Sequence, residues 1–353
     1  MRTIDWVDAG IELIDQTALP GELRVLRITT VADLVTAIQT LSVRGAPALG
    51  VAGAFGVALA AREFAGDPDR LAAAVRMIES ARPTAVNLAR GTRRAADRLP
   101  AGFAGVLAEA CAVRDEEIAA SAAMATRGAD LVVELCGARP RLLTHCNTGG
   151  LATVTIGTAL GVVGELHRRG TLGPVIASET RPLLQGARLT AWELDRMGAE
   201  FRVAVDSAGP YLMARGEVDA VILGADRICA NGDVINKVGT YMHALGAARA
   251  GLPFVVVAPE STVDPDTPEG AAVPIEDRGA AEVTGYADAV NPAFDVTPAD
   301  LVTAIVTERR TIRLDRGDAV SPPFATASAR PSPANPRPRP SADTPSRRPP
   351  TRG

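Results

Sequence analysis

The sequence predicts an α/β protein, with a Rossmann-like, parallel-sheet C-terminal domain preceded by a smaller, mainly helical, mixed α/β N-terminal domain. Short apolar runs alternate with helical stretches from residue 141 onward, and such alternation builds right-handed βαβ units. Ala-rich helical periodicity dominates the residues before 130, and 353 residues are enough for two cores. We expect domains at 1–130 and 131–320, followed by a disordered tail at 321–353.

The first domain begins with short extended pieces and then becomes helical. Apolar residues three and four positions apart predict an amphipathic helix over Val31–Leu41. Pro47–Ala61 is small and apolar on every side, which predicts a buried helix packed closely through its glycines. Further Ala-rich helices are predicted over Leu71–Ser80, Asn87–Leu99 and Arg114–Arg127.

The second domain contains five apolar runs that predict strands: Arg141–His145, Pro174–Ala177, Phe201–Val205, Asp219–Leu223 and Pro253–Val257. Helical stretches separate these runs: Leu151–Arg169, Gly186–Met197, Pro210–Arg215 and Val238–Ala250. No GxGxxG pattern follows the first strand, so the fingerprint of a dinucleotide-binding protein is absent.

Charge and composition exclude several classes of protein. Residues 1–320 carry a net charge of −9 and only 3% of the chain is aromatic, which argues against nucleic-acid binding. The tail holds six arginines and ten of the 26 prolines, a composition typical of disorder. The longest uncharged apolar run, Gly45–Ala61, is too short to span a bilayer, and the first residues lack a signal-peptide pattern. We expect a cytoplasmic protein that binds neither nucleic acid nor membrane.

Cysteine and lysine are both scarce. The four cysteines show no CxxC spacing and the chain has three histidines, so we expect neither a metal site nor disulfides. Among 37 basic residues a single lysine occurs, Lys237.

Polar residues cluster where the predicted strands end, and open parallel sheets bind ligands at the carboxyl ends of their strands. These clusters are Thr144–Gly150, Ser178–Pro182, Asp206–Ser207 and Gly224–Arg227, with a turn at Asn231–Asp233 that leads to Asn236 and Lys237. The sequence therefore places the chemistry in the C-terminal half.

Cys146 ends the first strand at a turn, Asn147–Gly150, which we expect to start a helix whose free N–H groups suit a phosphate. A helix N-terminus also favours a reactive thiolate, but a small buried cysteine is an equally good interpretation. His145 should point to the opposite face of the strand, as a packed residue rather than a partner of Cys146.

Asp226 follows an apolar run, where partial desolvation would raise its pKa and suit it for general-acid catalysis. The alternative is a carboxylate that caps a loop or pairs with Arg227. Lys237 is a candidate to hold a phosphate or to shift the pKa of Asp226. Arg44 and Arg82 each precede a predicted helix, as phosphate clamps or as ordinary surface arginines.

Several segments form a specific set: Arg44–Gly50, Arg82–Leu88, Thr144–Gly149, Glu179–Pro182, Gln185–Thr190, Gly224–Arg227, Gly232–Tyr241, Pro274–Arg278 and Glu282–Thr284. Together they resemble methylthioribose-1-phosphate isomerase of methionine salvage, over residues 3–325. The resemblance implies a homodimer that needs no cofactor and converts 5-methylthioribose 1-phosphate to 5-methylthioribulose 1-phosphate. It implies that Asp226 and Cys146 are catalytic and that the substrate-binding residues are Arg44, Gly45, Ala46, Arg82, Gln185, Asn236 and Lys237.

The implied chemistry suits these residue types. The anomeric oxygen carries the phosphate, so the sugar ring cannot open spontaneously, and Asp226 would protonate the ring oxygen. Hydrogen then moves between C2 and C1, as a proton with Cys146 as base or as a hydride with Cys146 as a stabiliser.

Two alternatives remain open. A ribose-1,5-bisphosphate isomerase would need a cationic rather than an apolar pocket around C5. A regulatory subunit of the eukaryotic initiation-factor exchange complex would share the fold without catalysis. The joint presence of Cys146, Asp226 and Lys237 favours an enzyme.

Overall fold

A computed structural model describes residues 2–82 and 85–320, and the tail predicted at 321–353 lies outside these residues. The N-terminal part begins with an antiparallel sheet in the order β1-β2-β3, formed by β1 (Ile4–Val7), β2 (Gly10–Ile14) and β3 (Val25–Ile28). The helices that follow are α1 (Val31–Gln39), α2 (Ala46–Glu63), α3 (Pro68–Ser80), α4 (Val86–Ala96) and α5 (Gly102–Cys136). All the helices predicted in this part of the sequence are present, with α5 much longer than expected.

Helix α2 lies at the centre of the helical core. Its residues 48–60 are all buried, as its uniformly apolar sequence predicts. The contact with α4 is so close that a Cβ on Gly91 would lie 2.0 Å from the carbonyl oxygen of Gly50. Gly53 makes a similar approach to Leu88 and Thr92. Small residues thus let the two helices pack closely side by side.

The second part is built on a seven-stranded sheet. Its strands are β4 (Leu142–Thr144), β5 (Val175–Ser178), β6 (Phe201–Ala204), β7 (Ala220–Leu223), β10 (Phe254–Val257), β13 (Ala304–Val306) and β14 (Thr311–Ile312). Four helices connect its strands: α6 (Ala159–Arg168), α7 (Ala191–Met197), α8 (Ala208–Ala214) and α9 (Thr240–Ala250). The α/β fold with a parallel sheet is therefore confirmed.

The strand order in this sheet reverses at its centre. The order is β14-β13-β10-β7-β4-β5-β6, and all neighbours pair in parallel except β13 and β14. The chain thus builds outward from β4 through β5 to β6, and then returns to β7 on the other side of β4. In such doubly wound sheets the crevice at the reversal, here between β4 and β7, is the usual ligand site.

The sequence analysis missed a second, smaller sheet. It consists of β8 (Arg227–Cys229), β9 (Val234–Lys237), β11 (Val263–Asp264) and β12 (Phe294–Thr297), in the order β11-β8-β9-β12. Its hairpin turns at Asn231, whose side-chain oxygen accepts a hydrogen bond from the N–H of Asp233 at 3.0 Å. The turn was predicted, but strands of two to four residues are too short to show a clear period.

The helix predicted over Leu151–Arg169 is wrong in its first half, because α6 begins only at Ala159. A short 3₁₀ turn at Gly150–Ala152 and a loop occupy the preceding residues. This loop is hydrogen-bonded instead to residues that flank the N-terminal sheet: the carbonyl oxygen of Val154 accepts from the N–H of Thr3 at 2.8 Å, and that of Leu151 accepts from Nε2 of Gln16 at 2.7 Å. These tertiary contacts outweigh a weak local helix propensity.

The predicted domain boundary at residue 130 falls inside α5. The first half of this helix packs in the helical core through Val106 and Ala110, whereas Met124 and Val132 pack against the sheet. The division into two domains stays a prediction. No helix within the described residues is both long enough and apolar enough to cross a membrane.

The buried carboxyl of Glu117, on α5, should make the stability of the fold depend on pH. Its buried Oε1 has no hydrogen-bond partner among the described residues, and burial, helped by the nearby charge of Glu308, raises its pKa from 4.5 to about 7. The folded protein therefore holds this proton more tightly than the unfolded chain, and its stability falls as pH rises from 4.5 to 7. Glu117→Gln should raise the melting temperature at pH 8 by about 2–4 °C and change it little at pH 5.

The matched control is Glu200→Gln, because Glu200 is an exposed glutamate. It should leave the melting temperature unchanged at both pH values. Thermal unfolding followed by circular dichroism measures both variants. An equal shift at pH 5 and pH 8 would contradict the assignment of an ionisable, desolvated carboxyl at position 117.

Candidate active site

A cavity of about 290 Å³ opens at the carboxyl ends of β4 and β7, where the strand order reverses. The sequence analysis named two catalytic and seven substrate-binding residues. Eight of these nine line the cavity: Arg44, Gly45, Ala46, Arg82, Cys146, Gln185, Asp226 and Lys237. The ninth, Asn236, is buried on β9 and donates its side-chain N–H to Oγ1 of Thr240 at 2.9 Å. The helical part and the sheet thus contribute to one site.

Two helix N-termini face this cavity. Gly45 precedes α2 with φ 95°, and a Cβ there would lie 2.4 Å from the carbonyl oxygen of Ala152, so only glycine fits. Ala85 and Val86 at the start of α4 also line the cavity. Within the described residues neither helix has a side-chain cap, so N–H groups of both first turns remain open to an anion.

Arg44 connects the helical part to the loop after β4. Its Nε donates to Oε1 of Gln16 at 3.1 Å, and its Nη2 donates to the carbonyl oxygen of Asn147 at 3.1 Å. Its Nη1 lies 3.9 Å from Sγ of Cys146. The guanidinium is therefore held at the cavity wall beside the thiol.

The predicted phosphate site at the turn Asn147–Gly150 is wrong. Glu193 of α7 occupies this turn, accepting from Nδ2 of Asn147 at 2.7 Å and from the N–H of Gly150 at 2.7 Å. No long helix begins there either. Burial raises the pKa of the Glu193 carboxyl. Because the protein supplies its own carboxyl group here, the turn supports Arg44 instead of holding a ligand.

Asp226 follows β7, and its N–H donates to the carbonyl oxygen of Ile235 at 2.9 Å. Burial raises the pKa of its carboxyl, while the charges of Lys237, Arg82 and Arg44 act in the opposite direction. The alternative of a pair with Arg227 is not what the structure contains, because Arg227 lies 3.3 Å from Oδ2 of Asp264.

The ammonium group of Lys237 lies between a carbonyl group and an aromatic ring. Its Nζ donates to the carbonyl oxygen of Ala293 at 2.6 Å and lies 4.7 Å from the centre of the Phe294 ring. Burial lowers the pKa of the ammonium group, while Cys146 and Asp226 raise it. The sequence analysis missed Phe294, because strand β12, which places it opposite Lys237, has no clear sequence signal.

Three buried or half-buried residues lie behind the cavity. His145 is packed as predicted, with its Nε2 hydrogen-bonded to the carbonyl oxygen of Val238 at 2.8 Å. The possible ligand atoms of His145, Asp206 and His243 lie within 4.8 Å of one another, whereas two ligands of a tetrahedral zinc ion are about 3.4 Å apart. Burial lowers the pKa of His243 to about 3. Nε2 of His243 lies 3.1 Å from the hydroxyl oxygen of Ser178, and Nδ1 of both histidines has no hydrogen-bond partner among the described residues. The expected absence of a metal site stays a prediction.

Comparison with known proteins places the chain among close relatives. Residues 42–312 match the initiation factor 2 subunit family. A methylthioribose-1-phosphate isomerase from Anaeromyxobacter sp. (strain K) is 54% identical, over 89% of this chain and 94% of its own length. A 5-deoxyribose 1-phosphate isomerase from Moorella thermoacetica is 47% identical, over 88% of this chain and 93% of its own length.

A longer relative and a solved structure agree with this placement. A probable bifunctional methylthioribose-1-phosphate isomerase/methylthioribulose-1-phosphate dehydratase from Nocardia farcinica is 50% identical over 93% of this chain, which spans 62% of that relative. The crystal structure of 5-methylthioribose 1-phosphate isomerase from Pyrococcus horikoshii superposes with a TM-score of 0.82 at 37% identity, covering 88% of this chain and 92% of that one. The chain therefore belongs to the initiation factor 2 subunit family and, within it, to the methylthioribose-1-phosphate isomerases.

Proposed function

We propose that the chain catalyses an aldose–ketose isomerisation of methionine salvage, converting 5-methylthioribose 1-phosphate to 5-methylthioribulose 1-phosphate. The observation that carries this proposal is the placement of Asp226, Cys146 and Lys237 on one cavity with Arg44 and Arg82. A carboxyl with a raised pKa, a thiol and a set of cations are the groups that this reaction requires. The names of the relatives support the same activity.

The phosphate at C1 binds between the helical part and the sheet. Arg44 and Arg82 supply positive charge, and the first turns of α2 and α4 supply N–H groups. Burial lowers the pKa of Arg82, but a guanidinium stays charged at neutral pH. Gly45 allows the backbone to approach the phosphate closely. These groups together orient the sugar for reaction.

Asp226 opens the ring. The carboxyl donates its proton to the ring oxygen, and the bond between that oxygen and C1 breaks. The resulting open-chain species is a cation whose charge C1 shares with the oxygen that carries the phosphate. Its raised pKa keeps a larger share of the carboxyl protonated near neutral pH than an exposed aspartate would retain. Hydrogen then moves from C2 to C1 beside Cys146, either as a proton through the sulfur or as a hydride that the sulfur helps to stabilise. The C2 hydroxyl loses its proton to the Asp226 carboxylate as the C2 carbonyl forms, which restores the acid.

The wall that remains for C5 is mainly apolar, formed by Leu41, Leu49, Leu183, Ile235, Val273 and Ile275. Two arginines also reach this cavity, but each is paired with a carboxylate. Arg227 lies 3.3 Å from Asp264, and Arg278 lies 2.5 Å from Glu282. An apolar group at C5, such as methylthio, suits this wall better than a second phosphate does.

Comparison of three substrates tests the function. Turnover of methylthioribose 1-phosphate, 5-deoxyribose 1-phosphate and ribose 1,5-bisphosphate is followed by the appearance of the ketose. We expect kcat/KM for the bisphosphate to be on the order of 100-fold below that for methylthioribose 1-phosphate, because its second phosphate would lie unpaired against apolar residues. A preference for the bisphosphate would contradict the proposal, and inactivity with all three would favour the regulatory alternative.

Replacement of Asp226 tests the acid. Asp226→Asn should lower kcat by about 10²–10⁴-fold with little change in KM, since the amide keeps the shape but cannot protonate the ring oxygen. Turnover by the unmodified enzyme should fall as pH rises through the raised pKa of Asp226, because only the protonated carboxyl donates. The control is Asp300→Asn, at an exposed position. A variant at 226 with the original kcat and pH profile would remove Asp226 from the mechanism.

Replacement of Lys237 by arginine tests the lone lysine. The ammonium fits between the carbonyl of Ala293 and the ring of Phe294, whereas the guanidinium is longer and planar. Lys237→Arg should therefore lower kcat/KM by about tenfold or more. The reverse exchange at an exposed position, Arg249→Lys, is the matched control. Unchanged steady-state kinetics for Lys237→Arg would mean that any cation serves at this position.

Some expectations stay predictions. They are the homodimer, the cytoplasmic location, the lack of a cofactor requirement, the catalytic roles of Asp226 and Cys146 and the roles of the seven substrate-binding residues. The tail predicted to be disordered, residues 321–353, lies outside the described residues.

A further inference from the structure

Cys146 has a backbone conformation that L residues rarely adopt. Its φ is 62°, in the left-handed region, although the residue has a Cβ. Its Sγ lines the cavity and lies 3.9 Å from Nη1 of Arg44. A residue keeps such a conformation only where its surroundings over-determine it, so the neighbouring contacts decide where the sulfur points.

Thr180 accepts the hydrogen bond of the Cys146 N–H, with 2.9 Å between the nitrogen and Oγ1. The proton of the Thr180 hydroxyl is already committed, because Oγ1 donates to the carbonyl oxygen of Ser178 at 2.9 Å. This hydrogen bond to β5 fixes the orientation of the hydroxyl, so that a lone pair of its oxygen faces the N–H of Cys146. The side chain is fully buried, so no water can replace it without repacking.

Thr190 contacts the other side of the same residue. Its Oγ1 donates to the carbonyl oxygen of Cys146 at 2.6 Å and lies 3.3 Å from Nδ2 of Asn147. Thr190 is also fully buried. The two threonines thus hold the N–H and the C=O of Cys146 from separate segments, one after β5 and one at the start of α7.

Asp206 fixes the first of these segments. One of its oxygens accepts from the N–H of Thr180 at 2.7 Å and the other from the N–H of Arg181 at 2.7 Å. Thr180 itself has φ 67°, which is unusual for a β-branched residue. Hydrogen bonds from Ser178, Arg181 and Thr180 oppose the effect of burial and lower the pKa of Asp206, so it stays a carboxylate. The acceptor for Cys146 is therefore part of a fixed loop.

We infer that Thr180 and Thr190 are positioning residues, which hold Cys146 in its left-handed conformation and keep its sulfur on the cavity beside Arg44. The inference rests on the proposed role of Cys146 in the isomerisation. Without either hydroxyl, one peptide group of Cys146 loses its partner and the residue can relax toward the ordinary conformations of L residues. That rotation moves the sulfur away from the reacting carbons, while the phosphate-binding residues stay in place.

The test uses isosteric and conservative variants of the full chain. Thr180→Val and Thr190→Val keep the shape and remove the hydroxyl, whereas Thr180→Ser and Thr190→Ser keep the hydroxyl. Kinetics with methylthioribose 1-phosphate are measured beside the rate of alkylation of Cys146 by iodoacetamide, located by mass spectrometry, from pH 6 to pH 10. Cys146→Ser identifies the labelled peptide. Thr92→Val, which removes another buried hydroxyl bonded to a carbonyl group, is the matched control.

We expect each valine variant to lower kcat by about tenfold or more, because the sulfur moves away from the reacting carbons. KM should change by less than about twofold, because the residues that bind the phosphate stay in place. Alkylation of Cys146 should slow in the same variants, because iodoacetamide reaches a sulfur less readily once it has turned away from the cavity. The serine variants and Thr92→Val should behave like the unmodified protein in both assays.

Several outcomes would overturn the inference. Valine variants with normal kcat and normal alkylation would show that the hydroxyls do not position Cys146, and serine variants as impaired as the valine variants would show the same. Unfolding of both valine variants would mark the threonines as determinants of the fold rather than of the sulfur position. If the unmodified protein turns over none of the three sugar phosphates, the proposed function fails, but the alkylation rates still decide this inference.

Discussion

The hydrogen bonds between Arg44 and the loop after β4 are the interaction on which the rest of the site depends. Arg44 immediately precedes Gly45, the N-cap of α2, and its partner Asn147 immediately follows Cys146. Glu193 holds Asn147 from behind, so the guanidinium is fixed to a loop that is itself fixed to α7. This connection brings the N-terminus of α2, which no described side chain caps, next to a thiol that lies at the end of a β-strand.

In the proposed reaction, Asp226 can act as the acid because its charge is buried without being fully neutralised. Asp226 is desolvated, which favours its protonated form, while Arg44, Arg82 and Lys237 favour the charged form. An exposed aspartate could not retain a proton near neutral pH, and an aspartate in a close ion pair would lose it even more readily. The absence of a direct pair between Asp226 and Arg227 therefore matters, because Asp264 draws Arg227 away.

Local patterns predicted the elements that are long or strongly apolar. Helix α2 and the strands β4, β5, β7 and β10 fit their sequence patterns because burial on all sides requires continuous apolar runs. The prediction was wrong at Leu151, where bonds to Thr3 and Gln16 turn a helical sequence into a loop. It also missed β12, and with it Phe294, because the apolar–polar alternation of Phe294–Thr297 covers only four residues and contains no continuous apolar run. These failures lie where contacts distant in the sequence outweigh local preference.

The sequence by itself determined the chemical groups and where they lie relative to the strands. Cys146 and Asp226 each follow an apolar run, and the order of the runs places both at the carboxyl edge of a parallel sheet. Only the tertiary structure decided which groups are available to a ligand. Glu193 fills the turn that the sequence suggested for phosphate, and Thr180 and Thr190 bind the backbone of Cys146. The reason is physical: a buried polar group must find a partner, and here those partners lie 34 to 44 residues away along the chain.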